Sequence, residues 1–292
     1  MYEFINIHKN TYLMESPAKT GLYISEGKDA YVIDTGIDKD AAKKIERFIK
    51  EKEAELKVII NTHSHADHCG GNSYLQEKTG CLIYSSDLEA SIIRNPVLEP
   101  ALLYGGSPYK EIMNKFLMAK PSKAKDISEA KLPEGFEYMG LPGHYFAQIG
   151  VRTPDDVWFI ADSLMGKRVT EKYSFSFMYD VKAQLETLEK LENLKGEWFV
   201  PSHAEATKDI GDLIIFNREN LLKDIELVFS LLKEEKSIED LVKEVFDMAD
   251  SKINHTQYVL TTTTIKSFLT YLLQEERIAA TFKGNRLLFI SK

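Results

Sequence analysis

The sequence predicts an α+β fold in which two β-sheets pack face to face and helices cover the outer faces. Extended segments alternate with amphipathic helical segments along most of the chain. The turn at 153–156, Thr-Pro-Asp-Asp, lies between two extended segments and predicts that they pair antiparallel. This order fits a two-sheet sandwich better than a parallel, doubly wound sheet.

The strands are predicted from short apolar runs rich in β-branched and aromatic residues. They are expected at 11–14, 21–25, 30–34, 57–61, 81–85, 136–141, 156–160 and 197–200. Two helices between them are predicted from apolar residues that recur on one face. The helix at 38–51 places Ala41 and Ile45 on this face, and the helix at 180–194 places Leu188 there.

Length and composition are typical of a globular enzyme. With 292 residues, of which 43% are hydrophobic, the chain can build a buried core and a smaller second unit. With a formal charge of −8 and an isoelectric point near 5.5, the chain lacks the excess of positive charge that is typical of nucleic-acid-binding proteins. We therefore expect a small-molecule substrate and no nucleic-acid partner.

The expected location is the cytoplasm. Residues 1–8 show no basic region followed by an apolar stretch, and no apolar run is long enough to cross a membrane. Neither a secretory signal nor membrane association is therefore expected. The two cysteines, Cys69 and Cys81, are expected to be small buried thiols in a reducing compartment.

The segment 62–68, Thr-His-Ser-His-Ala-Asp-His, predicts a metal site. It directly follows an apolar run and contains three of the seven histidines of the chain. Imidazole nitrogens and a carboxylate oxygen are ligands that zinc prefers, and a sharp loop after a strand lets such side chains converge. His63 and His65 should point one way, and Asp67 and His68 the other. A solvated polar loop explains this concentration of histidines poorly.

The pattern HxHxDH resembles the signature of the metallo-β-lactamase superfamily of metallohydrolases. The later motifs of that family find matches in order, each at or after a predicted strand. Asp34 closes an early strand, and a Gly-His pair provides His144. Asp162 and His203 end two later strands. The overall match is most similar to the glyoxalase II-like branch, whose members cleave thioesters, lactones and phosphoesters.

The resemblance implies a binuclear metal centre and the αββα sandwich of the family. One metal ion would be held by three histidines and the other by Asp67 with two histidines, while Asp162 bridges them. The implied ligands are His63, His65 and His144 for the first ion, Asp67, His68 and His203 for the second, and Asp162 for both. Zinc is the expected metal, with iron or manganese as alternatives, because histidine and aspartate serve all three.

The resemblance also implies roles for two carboxylates. A metal-bridging hydroxide would be the nucleophile, and Asp67 would orient it and receive its proton. Asp34 would fix the histidine loop by hydrogen bonds. The best-known class B β-lactamases carry a cysteine ligand where this chain has Asp162. Tyr145, which follows His144, is expected to cover the metal loop; the alternative is that its phenol stabilises a substrate oxyanion.

Two regions lie outside the motif scaffold. The catalytic domain is predicted at 1–208, with an apolar-rich helical insertion at about 87–126 whose expected role is packing, with a cap over the metals or a homodimer interface as alternatives. The segment 209–292 predicts helices followed by a hairpin with a two-residue turn, and resembles a winged-helix-like module. Its C-terminal part, residues 237–292, has as many acidic as basic residues, so we expect this segment to form a lid or an interface and not a DNA-binding module. His8 and His255 match no motif of the family.

The expected function is hydrolysis of a small ester-like substrate, a thioester or lactone before a phosphoester, by a binuclear metal centre. The alternative among enzymes is an RNA-processing metallo-nuclease. Outside enzymes, the alternative is a metal-binding regulatory or interaction protein. A di-iron oxidoreductase is less compatible with the chain, because electron-transfer members of the family usually carry a flavin domain that is not found in these 292 residues.

Overall fold

The protein was analysed as a computed structural model that describes residues 3–171, 175–249 and 252–292. The strands are β1 Glu3–His8, β2 Thr11–Glu15, β3 Thr20–Ile24, β4 Asp29–Ile33, β5 Glu55–Ile60, β6 Leu82–Ser85, β7 Ala124–Asp126, β8 Glu137–Gly140, β9 Ile149–Arg152, β10 Val157–Met165, β11 Trp198–His203, β12 Ile278–Lys283 and β13 Arg286–Ser291. The helices are α1 Lys39–Glu51, α2 Ala66–Cys69, α3 Asn72–Thr79, α4 Asp87–Arg94, α5 Leu98–Tyr104, α6 Lys167–Thr170, α7 Val181–Glu192, α8 Gly211–Leu231, α9 Ile238–Met248 and α10 His255–Gln274.

Two sheets form the centre of the molecule. The first has seven strands in the order β1 to β7, antiparallel from β1 to β4 and parallel from β4 to β7. The second has the order β11-β10-β9-β8. Strands β9 and β10 pair antiparallel around the turn at 153–156, as the sequence predicts. The parallel strands of the first sheet place their carboxyl ends at one edge, and the histidine segment follows β5 there.

The sheets pack on each other through apolar side chains that alternate along the strands. Leu13 and Ile60 of the first sheet meet Val151 and Phe159 of the second, and all four are buried. Gly21 is required at this contact, because a Cβ atom there would lie 2.5 Å from the ring of Phe159. The inner layer therefore fixes how the two sheets, and the loops at their ends, lie relative to each other.

Helices cover both outer faces and complete the predicted αββα sandwich. On the first sheet, α1 begins at the cap residue Asp38, whose carboxylate accepts hydrogen bonds from two backbone N–H groups of the first turn. Its buried face, with Ala41 and Ile45, belongs to one core cluster with β3 to β6 and α3. On the second sheet, Leu188 of α7 and Ile214 of α8 pack against β10 and β11. The fold class predicted from the sequence is therefore confirmed.

The insertion is less helical than predicted. Helices α4 and α5 occupy its first half, one 3₁₀ turn follows at Lys110–Ile112, and the rest up to residue 123 is irregular. Its last residues form β7, which pairs parallel with β6 and buries Ala124. Strand β1 was also not predicted, and β9 was expected only as the partner strand before the turn at 153–156, without bounds of its own. β1 lies at a sheet edge and has no buried residue, so its apolar alternation is weak.

The C-terminal segment packs as a helical layer followed by a hairpin. Helix α9 begins with a capping box between Ser237 and Asp240. The hairpin β12–β13 has the predicted two-residue turn. Helix α8 joins the segment to the sandwich, because its start packs on the second sheet and its later turns, through Leu221 and Ile225, pack with α9 and α10. The winged-helix-like character and the division at residue 208 remain predictions.

The insertion and the C-terminal segment contact each other. Leu103 of α5 and Val259 of α10 share a small apolar core. Tyr109 Oη lies 3.1 Å from His255 Nδ1, and Asn114 donates a hydrogen bond to the Thr256 hydroxyl at 3.0 Å. Within the part of the chain that the structure describes, no helix is long and apolar enough to span a membrane.

Candidate metal centre

The histidine loop is held by a buried carboxylate on the neighbouring strand. Asp34, directly after β4, adopts a left-handed backbone conformation with φ of 59°. Its carboxylate accepts hydrogen bonds from the Thr62 backbone N–H at 2.8 Å and the Thr62 hydroxyl at 2.7 Å, and lies 2.7 Å from His68 Nδ1. Asp34 thus orients both the start of the loop and one predicted ligand, as the sequence analysis expects.

Three of the predicted ligands form one compact group. His65 Nδ1 lies 3.0 Å from His63 Nε2 and 3.1 Å from His144 Nε2. His63 and His144 are buried. The three nitrogen atoms therefore surround a space suited to one cation.

A second group forms beside the first. Asp67 Oδ2 lies 3.8 Å from His68 Nε2 and 3.4 Å from His203 Nε2. Asp162 lies between the groups, because its carboxylate is 3.2 Å from His68 Nε2, 3.2 Å from His203 Nε2 and 3.4 Å from His144 Nε2. The structure thus brings all the predicted ligand side chains together in the predicted two groups.

Hydrogen bonds to the outward nitrogens orient most of the histidines. His144 donates from Nδ1 to the Phe177 carbonyl at 3.1 Å, and His203 donates from Nδ1 to the Pro17 carbonyl at 2.8 Å. A carbonyl can only accept, so each Nδ1 carries a proton, and in the neutral form of either ring Nε2 offers its lone pair to the cluster. Gly143 is needed before His144, since its φ is 129° and a Cβ atom would lie 2.4 Å from the α7 backbone.

The first group is neutral and therefore able to bind a metal ion. Burial, aided by the neighbouring His68, lowers the pKa of His63 well below its usual value. Burial and His144 lower the pKa of His65 to about 3, and burial also lowers the pKa of His144. A neutral imidazole offers the lone pair that coordination requires.

The second group carries charge. Burial lowers the pKa of His68 and of His203, but Asp162 and the other nearby carboxylates outweigh this, raising the pKa of His203 to about 10 and that of His68 well above its usual value. Burial raises the pKa of Asp67 and of Asp162, but the histidines hold both carboxyl groups well below their ordinary pKa. Both carboxylates are therefore ionised, as metal ligands must be.

Unpaired polar atoms show that the centre fits a cation. Among the described residues, His68 Nε2 and Asp162 Oδ1 are buried; they lie 3.2 Å apart without hydrogen-bond geometry, and neither atom has a hydrogen-bond partner. Leaving such atoms without a partner is costly, and a bound cation would satisfy both. The donor set of imidazole and carboxylate suits zinc, iron and manganese.

Three residues around the centre were missed or only partly understood from sequence. Glu89 of α4 accepts hydrogen bonds from the Ser64 backbone N–H, the Ser64 hydroxyl and the Ala147 backbone N–H, and so supports two ligand loops. Glu99 of α5 is buried beside His65. The hydroxyl of the buried Tyr145 donates to Glu99, so this phenol covers the metal loop and is not free for substrate. No pattern in the sequence connects these acids to the loop.

Five of the predicted ligands line a cleft of about 930 Å³: His65, Asp67, His144, Asp162 and His203. Its walls come from separate parts of the chain: the insertion contributes Phe116 and Leu117, the helix α10 contributes Leu260 and Thr261, and the segment before α7 contributes Phe177. The volume is within the range of small-molecule sites. The insertion and the C-terminal segment therefore both line the space in front of the metal centre.

A smaller polar cavity of about 160 Å³ lies behind the centre. Asp162 lines it on one side, and Asn220 and Asp224 of α8 line it on the other. Burial raises the pKa of Asp224 to about 7, although Lys223 opposes this. Such a cavity has room for several water molecules, which could satisfy its polar groups.

The sandwich fold and this cluster of ligands define the class of protein: a metal-dependent hydrolase. A family profile for the metallo-beta-lactamase superfamily matches residues 15–203, which includes every predicted ligand. The chain belongs to this superfamily.

Relatives of known description agree with this class. The chain is similar to a probable metallo-hydrolase of Bacillus subtilis, with 24% identity over 68% of this chain and 82% of the relative. It is also similar to a probable metallo-hydrolase of Methanocaldococcus jannaschii, with 23% identity over 68% of this chain and 92% of the relative. A match to a hydroxyacylglutathione hydrolase of Pelagibacter ubique is 45% identical but covers 16% of this chain and 20% of that enzyme.

Solved structures share the whole architecture, including the C-terminal segment. A beta-lactamase domain protein from Burkholderia ambifaria has a TM-score of 0.73 at 14% identity and covers 99% of this chain and 94% of its own. A metallo-beta-lactamase family protein from Thermus thermophilus has a TM-score of 0.71 at 17% identity, covering 97% of this chain and 99% of its own. At these identities the likeness shows the fold alone.

Proposed function

We propose that the protein is a binuclear hydrolase of small ester-like substrates, thioesters or lactones before phosphoesters. The observation that carries the proposal is the convergence of two groups of ligands with Asp162 between them. His63, His65 and His144 would hold one divalent ion, and Asp67, His68 and His203 the other. Zinc is the metal we propose, with iron or manganese as alternatives.

Two bound divalent ions would supply a nucleophile from water at neutral pH and would polarise the oxygen of the scissile group. The chain's own contribution is orientation and proton transfer. Both predicted carboxylate ligands line the cleft, but Asp67 is about one-third exposed, whereas Asp162 is buried. Because Asp67 is ionised and faces the substrate space, it can orient the attacking group and accept its proton.

An ester-like substrate is favoured over a polynucleotide by the cleft. The surface of the cleft as a whole is more apolar than polar, with Phe116, Phe177 and Leu260 among its lining, and the protein as a whole is acidic. A further support is the short segment that is 45% identical to an enzyme named for hydrolysing a hydroxyacylglutathione. We also propose a cytoplasmic location, in keeping with Cys69 and Cys81, which are buried free thiols.

The test is a substrate panel assayed with zinc-loaded protein. Thioesters and lactones should be hydrolysed, phosphodiesters should be hydrolysed more slowly, and His63→Ala should lose activity on all of them. Lys43→Ala, on the exposed face of α1, is the control and should behave as wild type. Efficient cleavage of phosphodiesters alone would contradict the proposed substrate class, and activity retained in His63→Ala would contradict the proposed centre.

A further inference from the structure

His65 is oriented differently from the other histidines of the centre. His63, His68, His144 and His203 all direct Nε2 at the cluster, and Nδ1 of each contacts a hydroxyl, a carboxylate or a backbone carbonyl. His65 directs Nδ1 at the cluster. Its outward nitrogen is therefore Nε2, and among the described residues this atom has no hydrogen-bond partner.

The group that faces this outward nitrogen comes from the insertion. Glu99 Oε1 lies 3.4 Å from His65 Nε2, and the other carboxylate oxygen accepts the hydroxyl of Tyr145. Glu99 is 3% exposed, and no lysine or arginine pairs with it among the described residues. Burial raises the pKa of Glu99 to about 8, although the hydrogen bond from Tyr145 opposes this. The ionised carboxylate therefore needs hydrogen-bond donors, and Tyr145 and the N–H of His65 are the donors at hand.

We propose that Glu99 is a positioning residue of the metal centre: it holds His65 in the tautomer with the proton on Nε2, so that the lone pair of Nδ1 faces the three-histidine group. This inference rests on the metal centre of the proposed function. An imidazole that binds metal through one nitrogen must carry its proton on the other, and a carboxylate there fixes both the tautomer and the ring plane. The 3.4 Å contact needs only a small shift to become a hydrogen bond.

Glu89, the other buried acid of the insertion, is hydrogen-bonded to the backbone of the ligand loops and, among the described residues, to no ligand side chain. Glu89 accepts from the backbone of Ser64 and Ala147 and makes no hydrogen bond to a histidine ring in the described part of the chain. Glu99 acts on a ligand side chain instead. Because α5 also packs on α10 through Leu103, the insertion connects the three-histidine group to the C-terminal segment. The group at Asp67, His68 and His203 has no such connection to α5 among the described contacts, so the two metal sites should respond differently to changes at Glu99.

The experiment compares zinc affinities of wild type, Glu99→Ala and Glu99→Gln by competition with a chelator. Glu99→Ala should weaken one of the two sites by roughly 10- to 100-fold, the usual effect of losing a carboxylate behind a metal-binding histidine, and leave the other within error. The zinc affinity of Glu99→Gln at that site should lie between those of wild type and Glu99→Ala, because the amide oxygen of the glutamine can still accept a hydrogen bond from His65 Nε2–H. Glu111→Ala, an exposed acid of the same insertion, is the matched control and should match wild type.

A second measurement uses metal-free protein labelled with ¹⁵N-histidine. Wild-type His65 should show the Nε2–H tautomer, and Glu99→Ala should show a mixture. Unchanged zinc affinities together with an unchanged tautomer in Glu99→Ala would overturn the inference. If wild type binds no zinc, the proposed function fails, yet the tautomer comparison still decides whether Glu99 orients His65. If Glu99→Ala does not fold, Glu99→Gln provides both readouts.

Discussion

At the residue scale, Asp34 explains why the ligand loop has one conformation. Its carboxylate contacts the backbone and hydroxyl of Thr62 and the outward nitrogen of His68. To make these contacts it adopts φ of 59°, which is uncommon for a residue with a side chain. Such backbone strain is tolerated where the surrounding structure holds it, and it accompanies functional sites.

Replacing Asp34 with Ala should therefore weaken metal binding although Asp34 is not itself a ligand. We expect a loss of zinc affinity of roughly 10- to 100-fold, because the loop and His68 lose their fixed orientation. Chelator competition measures this, and Asp40→Ala on the exposed start of α1 is the control. Wild-type affinity in Asp34→Ala would mean that the loop is held by its other contacts.

The pH dependence of stability should reflect Asp224. Burial raises its pKa from 3.8 to about 7, so folding favours the protonated form. The resulting stabilisation is complete below the usual pKa and is lost as the pH rises to about 7 and beyond. Asp224→Asn cannot ionise and so does not lose this stabilisation. The melting temperature of Asp224→Asn should therefore rise relative to that of wild type as the pH increases from about 5 to about 8.

The control for this prediction is Glu219→Gln, an exposed acid on the same helix, for which the difference from wild type should not change with pH. Thermal melts of the three proteins at several pH values make the comparison. A constant difference between Asp224→Asn and wild type across this range would show that Asp224 is not perturbed by burial.

At the element scale, the insertion is held by a small apolar core shared with α10. Leu103 is 2% exposed in this core, whereas its neighbour Leu102 is 42% exposed. Leu103→Ala should lower the free energy of unfolding by about 2–5 kcal/mol, because it removes buried methyl groups and leaves a cavity. Leu102→Ala should change it by less than about 0.5 kcal/mol. Chemical denaturation of both variants measures the difference, and equal effects would contradict the described packing.

Sequence reasoning succeeded for elements with a local signal. The histidine segment, the turn at 153–156 and the hairpin turn each follow from neighbouring residues. The later predicted ligands, which the structure brings to the same cluster, come from resemblance to a family. The edge strand β1 and the three-residue β7 were missed because they bury little apolar surface of their own. Glu99 could not be found, because its contact with His65 exists only once α5 folds back over the loop.

At the scale of the whole molecule, the net negative charge predicts a low affinity for nucleic acid. Contacts with phosphates make affinity fall steeply with salt, by roughly 0.7 log units per contact on single strands. With a net charge of −8, we expect no tight, salt-sensitive association with RNA. Titration of a labelled single-stranded RNA at low and high salt tests this. Tight binding at low salt, with cleavage that requires His63, would favour the nuclease alternative.

The central claim is that two metal ions bind in the ligand cluster at the edge of the sandwich and support the hydrolysis. Elemental analysis combined with activity, for wild type and Asp162→Ala, tests it most directly. Wild type should carry close to two metal ions per chain, because its ligands form two groups joined by Asp162. Asp162→Ala should lose metal and activity together, and chelation of wild type should remove activity reversibly. Full activity with one metal ion or none would contradict the binuclear centre.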